Sequence, residues 1–151
     1  MKLYILCGLQ GSGKSTYAKK HQEIFQAEII STDQIRKDYQ PIAESEVFPT
    51  AFSLIKDCFQ RGKNVIFDAT NINEEARKKN LSGIFSLINK NETETICICL
   101  KVDKDVCKSR VEKRNTLDNE IYLPLEVIDR FNEDYEDPTL SEGFDEIIFV
   151  K

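Results

Sequence analysis

The sequence predicts a three-layer α/β fold: a central parallel sheet of about five strands with helices on both faces, plus a helical lid. Three observations carry this. Short apolar, β-favouring runs alternate with helical segments along the whole chain. The first run ends in a glycine-rich segment, where a sheet of this kind places its ligand loop. No internal repeat or linker divides the 151 residues, so the chain reads as one domain, 1–151, long enough to bury a core without disulfides.

The elements follow in order. "KLYILCGL" is a buried strand ending at glycine, and the segment from about Lys14 to Gln22 is the helix behind it. "AEIIST", 27–32, is a second strand, with Asp33 at its end, followed by helical segments near 34–39 and 45–61. "NVIFDAT", 64–70, is the third strand. In "NEEARKKNLSGIFSLIN", Leu81, Ile84, Phe85 and Ile88 recur at three- and four-residue spacing, which gives a helix one apolar stripe. "TETICICLKV" is a fourth strand, "DKDVCKSRVEKRN" a charged helix, "PLEVIDRFNEDYE" a last helix opened by Pro124, and "EIIFV" a closing strand.

Composition excludes several classes. A formal charge of −5 with 31% charged residues argues against a protein that coats nucleic acid by charge alone. The apolar start "MKLYILCGLQ" is too short for a signal peptide or membrane span, which places the expected location in the cytoplasm, away from membranes. The five cysteines contain no C-x-x-C and have one histidine, His21, for company, so they read as reduced core thiols. Cys97 and Cys99, two apart on a strand, share a face and suit packing rather than zinc.

"GLQGSGKS", Gly8 to Ser15, satisfies G-x-x-x-x-G-K-[ST] at every position, after a strand and before a helix. Gly8, Gly11, Ser12 and Gly13 let backbone N–H groups turn inward around phosphate oxygens at the positive end of the following helix. Lys14 would reach the β- and γ-phosphates of ATP, and the Ser15 hydroxyl would join the shell of a Mg²⁺. Thr16 either touches the α-phosphate or begins the helix.

Two acids stand at strand ends. Asp68, after "VIF", can hold Mg²⁺ at the edge of the sheet that carries the loop, while Asn71 or Asn73 caps the next helix. Asp33 can accept a hydroxyl proton during phosphoryl transfer, and Arg36, three residues on, can bind an anion on the acceptor. The local alternative makes Asp33 a helix cap and Arg36 a solvated charge. Arg110 and Arg114, four apart on one helix, can neutralise charge in the transition state from a lid over about 108–123. Their local alternative is pairing with Glu112 and Asp105 on an outer face. The Asp-x-Asp at 103–105 resembles a phosphatase nucleophile motif, but too little chain follows it; both acids read as helix-start residues.

Over nearly its whole length the chain resembles the kinase domain of polynucleotide 5′-hydroxyl kinases, among the P-loop kinases. The resemblance rests on "GLQGSGKST", "STDQIR", "VIFDATN", the Arg110–Arg114 pair and "YLPLEVIDRFNEDYEDP". It implies a P-loop NTPase fold of the kinase type, with Lys14 and Ser15 serving ATP and Mg²⁺. It makes Asp33 the general base, Arg36 the group that binds a 3′-phosphate, and Asp68, Thr70 and Asn71 the organisers of the acceptor. Arg110 and Arg114 become the lid arginines. The family's best-known members also carry a phosphatase domain, which does not fit here, so a separate ligase or phosphatase is a possible functional partner. A related hydrolase of cyclic phosphates needs two His-x-[ST] motifs, which a single histidine excludes.

The expected function is transfer of the γ-phosphoryl of ATP, with Mg²⁺, to the 5′-hydroxyl end of RNA or DNA. Two alternatives stay open: a kinase of a small anionic metabolite, nucleoside or sugar, and a module that binds ATP and signals.

Overall fold

The computed structural model describes residues 1–151. Five strands form one sheet in the order β2-β3-β1-β4-β5, every neighbouring pair parallel. They are β1 (Lys2–Cys7), β2 (Ala27–Ser31), β3 (Asn64–Asp68), β4 (Glu94–Leu100) and β5 (Glu146–Val150). The helices are α1 (Lys14–His21), α2 (Thr32–Asp38), α3 (Glu44–Gln60), α4 (Glu74–Phe85), α5 (Lys104–Arg114) and α6 (Leu125–Asp134).

Side chains alternate between the faces of a strand, so the sheet sorts its apolar residues into two layers. Leu3, Ile5 and Cys7 of β1 join Val65, Phe67, Cys97 and Cys99 beneath α3 and α4. Tyr4 and Leu6 join Ile66, Ile96 and Ile98 against Ala18 of α1 on the other face. A third cluster, Leu9, Cys107, Val111 and Ile128, seats α5 and α6 beside the glycine loop. All five cysteines are free and buried, as packing residues should be.

Several elements run shorter than the sequence expectation, β3 stopping at Asp68 and β4 at Leu100, and two boundaries bear on the site and the core. β2 stops at Ser31, and Asp33 lies in the first turn of α2 rather than at a strand end. The reason is the cap: the Ser31 hydroxyl accepts from the Gln34 N–H at 3.2 Å, starting the helix two residues early and leaving Asp33 free of capping. α4 is capped by Asn73, whose Oδ1 accepts from the Ala76 N–H at 2.9 Å, and it ends at Phe85. The stripe holds nevertheless: Leu81 and Ile84 enter the core, and Phe85 and Ile88 pack against it.

The strand order puts β1 in the middle. The chain leaves β1 toward β2 on one side and later reaches β4 on the other, so the crevice at the carboxyl ends of β1, β3 and β4 is the place for a ligand.

Candidate active site

The loop after β1 is held from below and turned by two glycines. The Gly8 N–H donates to the Thr70 carbonyl at 2.9 Å, tying the loop to the end of β3. Gly11 and Gly13 have φ of +79° and +96°, in the left-handed region, and Gly13 is the N-cap of α1. A Cβ on Gly11 would lie 2.6 Å from the Cys107 carbonyl oxygen. Gly11→Ala is therefore expected to lower stability by about 1–3 kcal/mol, read as a fall in the urea midpoint; an unchanged midpoint would mean that the loop relaxes without strain.

Lys14 lies folded under this loop, its Nζ donating to the Gly8 and Leu9 carbonyls at 3.0 and 2.9 Å. An ammonium has three donors, so one remains for a phosphate. Burial pushes its pKa down while Asp68 and Asp33 pull it up. The Ser12 hydroxyl is buried and makes no hydrogen bond within the protein, which leaves a donor in the cradle. Both features fit a bound phosphate chain.

The Ser15 hydroxyl donates to Asp68 Oδ2 at 2.7 Å, joining the first turn of α1 to the last residue of β3. One hydroxyl and one carboxylate fit Mg²⁺, which takes few protein oxygens and fills its octahedron with water and substrate phosphates. No group of three or more His, Cys, Asp or Glu side chains could hold a metal by protein alone.

Across the cleft, Arg36 Nη1 donates to Asp33 Oδ1 at 2.7 Å. Its Nε and Nη2 meet the carboxylate of Glu44, with Nη2 to Oε1 at 2.5 Å. Hydrogen bonds from Arg36 hold the Glu44 carboxyl below the usual range. Asp33 is 68% exposed at its side chain, and its second oxygen carries no bond from Arg36.

The third wall is α5. Arg110 Nη1 donates to the Gly11 carbonyl at 3.1 Å, and Arg114 lines the cleft one turn on. Lys104 and Lys108 of the same helix instead bind Asp129 of α6 at 3.7 and 3.0 Å, docking α5 on α6. The segment 115–124 is irregular. Asn115 pins it at both ends of its amide, donating to the Leu123 carbonyl at 2.8 Å and accepting from the Leu123 N–H at 2.9 Å. Glu120 reaches Lys37 of α2 at 3.2 Å, so the loop bridges toward the wall that carries Asp33 and Arg36.

These walls enclose a cleft of about 1520 Å³. That exceeds the roughly 300–1,000 Å³ of a single-ligand site and has room for a nucleotide and an acceptor together. It brings together Gly11, Ser12, Gly13, Lys14, Ser15, Thr16, Asp33, Arg36, Asp68, Thr70, Arg110 and Arg114. Gly8 lies buried below it. Asn71 is turned away: it is 2% exposed, with Nδ2 donating to the Leu6 carbonyl at 2.8 Å and Oδ1 accepting from Asn80 at 2.7 Å. A φ of +44° at Asn71 produces this inward turn. Asn71 thus pins β1 to α4 and does not line the cleft.

Two groups of consequence lay outside every sequence motif. Glu44 had one signal, an acid-rich helix start, which by itself says only that the helix dipole is complemented. Arg77 is fully buried, with Nε 2.7 Å from Glu142 Oε1 and Nη1 3.0 and 2.9 Å from the carbonyls of Asn71 and Glu136. Nothing local distinguishes it from the exposed Lys78 and Lys79 beside it.

Comparison with known proteins agrees with this geometry. No curated protein matches the sequence. Among solved structures, Chaetomium thermophilum Kti12 in complex with ADP-AlF3 superposes with a TM-score of 0.71 at 17% identity, covering 98% of this chain and 88% of that one. A fungal RNA kinase gives 0.69 at 18% identity, covering 99% and 73%. A sugar kinase from Janibacter sp. HTCC2649 gives 0.67 at 13%, covering 99% and 85%. At these identities the likeness speaks for the fold. The family described as the AAA domain, AAA_33, matches residues 3–138, and with its nucleotide-binding loop in place the chain belongs to that family, a P-loop domain of kinase type.

Proposed function

We propose that this protein transfers the γ-phosphoryl of ATP to the 5′-hydroxyl end of RNA or DNA. The observation that carries the reading is the shared cleft, lined by a phosphate-binding loop, an exposed Asp33 paired with Arg36, and two arginines of α5. A hydrolase needs no second wall of this kind.

In this reading Asp33 accepts the proton of the attacking hydroxyl on the oxygen that Arg36 leaves free, while Arg36 orients the carboxylate and faces the acceptor. Asp68 and Thr70 border the acceptor side at the end of β3. Lys14, the loop N–H groups, Arg110 and Arg114 hold the charge that spreads over the migrating group, so catalysis is positioning and electrostatics. Ser15 with Asp68 would hold Mg²⁺, which would supply neutralisation of the phosphate charge. The segment 108–123 serves as the lid, and a separate ligase or phosphatase would complete end repair.

The test is transfer of labelled γ-phosphate to a 5′-hydroxyl oligonucleotide beside its 5′-phosphorylated twin. Label on the first alone is expected. Asp33→Ala is expected to lose transfer by about 10²- to 10⁴-fold while keeping ATP binding; equal transfer by the variant would remove Asp33 as the base.

One observation favours a second reading, a small-metabolite kinase. Arg36 is shared by two carboxylates, and Phe48, Ile121, Val127 and Phe131 line the same cleft with apolar surface. That reading predicts no label on any oligonucleotide and turnover with a sugar or nucleoside. Acceptor-independent ATP hydrolysis would instead mark a sensing module.

A further inference from the structure

Arg36 carries five N–H donors in a planar fork. Three already point at carboxylates: Nη1 at Asp33 (2.7 Å), Nε at Glu44 (3.1 Å) and Nη2 at Glu44 (2.5 Å). One cation between two anions leaves this wall net negative, and a free phosphate arriving at Arg36 meets that charge before it meets the guanidinium. Glu44 is 71% exposed at its side chain and sits in the first turn of α3, where the helix end favours an anion whether or not Arg36 holds it. Its bond to Arg36 is therefore reversible: the carboxylate released returns to water at a favourable position.

We propose that Glu44 is a placeholder anion that decides which acceptors reach Arg36. Resting on the reading of this wall as the acceptor side, Glu44 excludes free phosphate from the guanidinium and yields only to a phosphate delivered by an acceptor that makes further contacts. Those contacts are in place. A hydroxyl at Asp33 tethers the acceptor and raises the effective concentration of its phosphate at Arg36, as any second linked contact does. Phe48 lies four residues after Glu44 on the same helix face and also lines the cleft, so displacing Glu44 lays an acceptor against an apolar ring. Inorganic phosphate makes neither contact. Glu44 thus converts a general anion site into one selective for a phosphate ester attached to a hydroxyl-bearing group.

The experiment titrates inorganic phosphate into the protein saturated with ADP and Mg²⁺, which occupy the glycine loop, and follows the Arg36 Nε–H resonance. In the unaltered protein that resonance is expected to stay put. In Glu44→Gln it is expected to shift saturably, with affinity at least about tenfold higher, because a charge-assisted competitor has been removed. Glu44→Asp keeps the charge on a shorter stem and should fall between them. Equal phosphate affinity in the unaltered protein and Glu44→Gln, or a saturable shift in the unaltered protein at low phosphate, would overturn the proposal. A parallel assay with a 5′-hydroxyl oligonucleotide expects a lower KM and new inhibition by phosphate in Glu44→Gln. If no oligonucleotide accepts label from the unaltered protein, the nucleic-acid reading fails, while the phosphate titration still decides the role of Glu44.

Discussion

Arg77→Ala is expected to lower the stability of this protein by roughly 3–5 kcal/mol, the range for removing one partner of a buried ion pair. The Arg77 and Glu142 side chains are 0% and 1% exposed, so the carboxylate left behind has no access to water. Burial alone would raise the Glu142 carboxyl, but hydrogen bonds from Arg77 and Thr139 carry it below its ordinary value. A depressed carboxyl contributes stability above its unfolded pKa and loses it as the pH falls through the folded value. The variant should therefore unfold at lower urea near neutral pH, and its deficit should shrink as the solution is acidified below the usual carboxylate range. The double variant Arg77→Met with Glu142→Leu removes both charges and should recover much of the loss. The loss has a route to function: Arg77 also bonds the Asn71 carbonyl, and Asn71 bonds Leu6 two residues before the glycine loop. A deficit under about 1 kcal/mol would show that the pair is not the anchor of this corner.

Lys14→Ala is expected to lower phosphoryl transfer by about 10²- to 10³-fold or more, the effect of losing a preorganised group aimed at developing charge. The effect is large because the ammonium is buried and held by two carbonyls before any nucleotide arrives, so it reorganises little during transfer. Stability should move much less than rate, within about 1 kcal/mol, because the desolvation of Lys14 already opposes its charged form in the folded protein. Single-turnover transfer and a urea curve on the same sample separate the two. A rate within tenfold of the unaltered protein would remove Lys14 from the transition state.

Much of the molecule was legible in the chain, for reasons that are local. Alternation of period-two and helical patterns named all five strands and all six helices, since burial on a sheet face imposes those periods on contiguous residues. "GLQGSGKS" was legible because a phosphate cradle is made by the backbone of consecutive residues, and glycine at left-handed positions such as Gly11 and Gly13 is its direct signature. That Arg110 and Arg114 share one face was legible from their four-residue spacing on a helix, and both line the cleft.

What only the tertiary structure decided are pairings between residues far apart or in unremarkable contexts. Ser15 and Asp68 stand 53 positions apart and meet because β1 and β3 are sheet neighbours in parallel register. Arg77 and Glu142 stand 65 apart and meet only when α4 packs beside the turn before β5. Asn71 reads like Thr70 in sequence, yet one backbone angle turns its amide inward and leaves Thr70 on the cleft. Glu44 reads as a helix-start acid, and becomes the partner of Arg36 only because the loop between α2 and α3 brings it back across eight residues. By itself the sequence determined the sheet and the phosphate loop, because each is written in the spacing of neighbours. The wall of Asp33, Arg36 and Glu44 was decided by packing, because which charges face one another across a cleft depends on the summed geometry of every element between them.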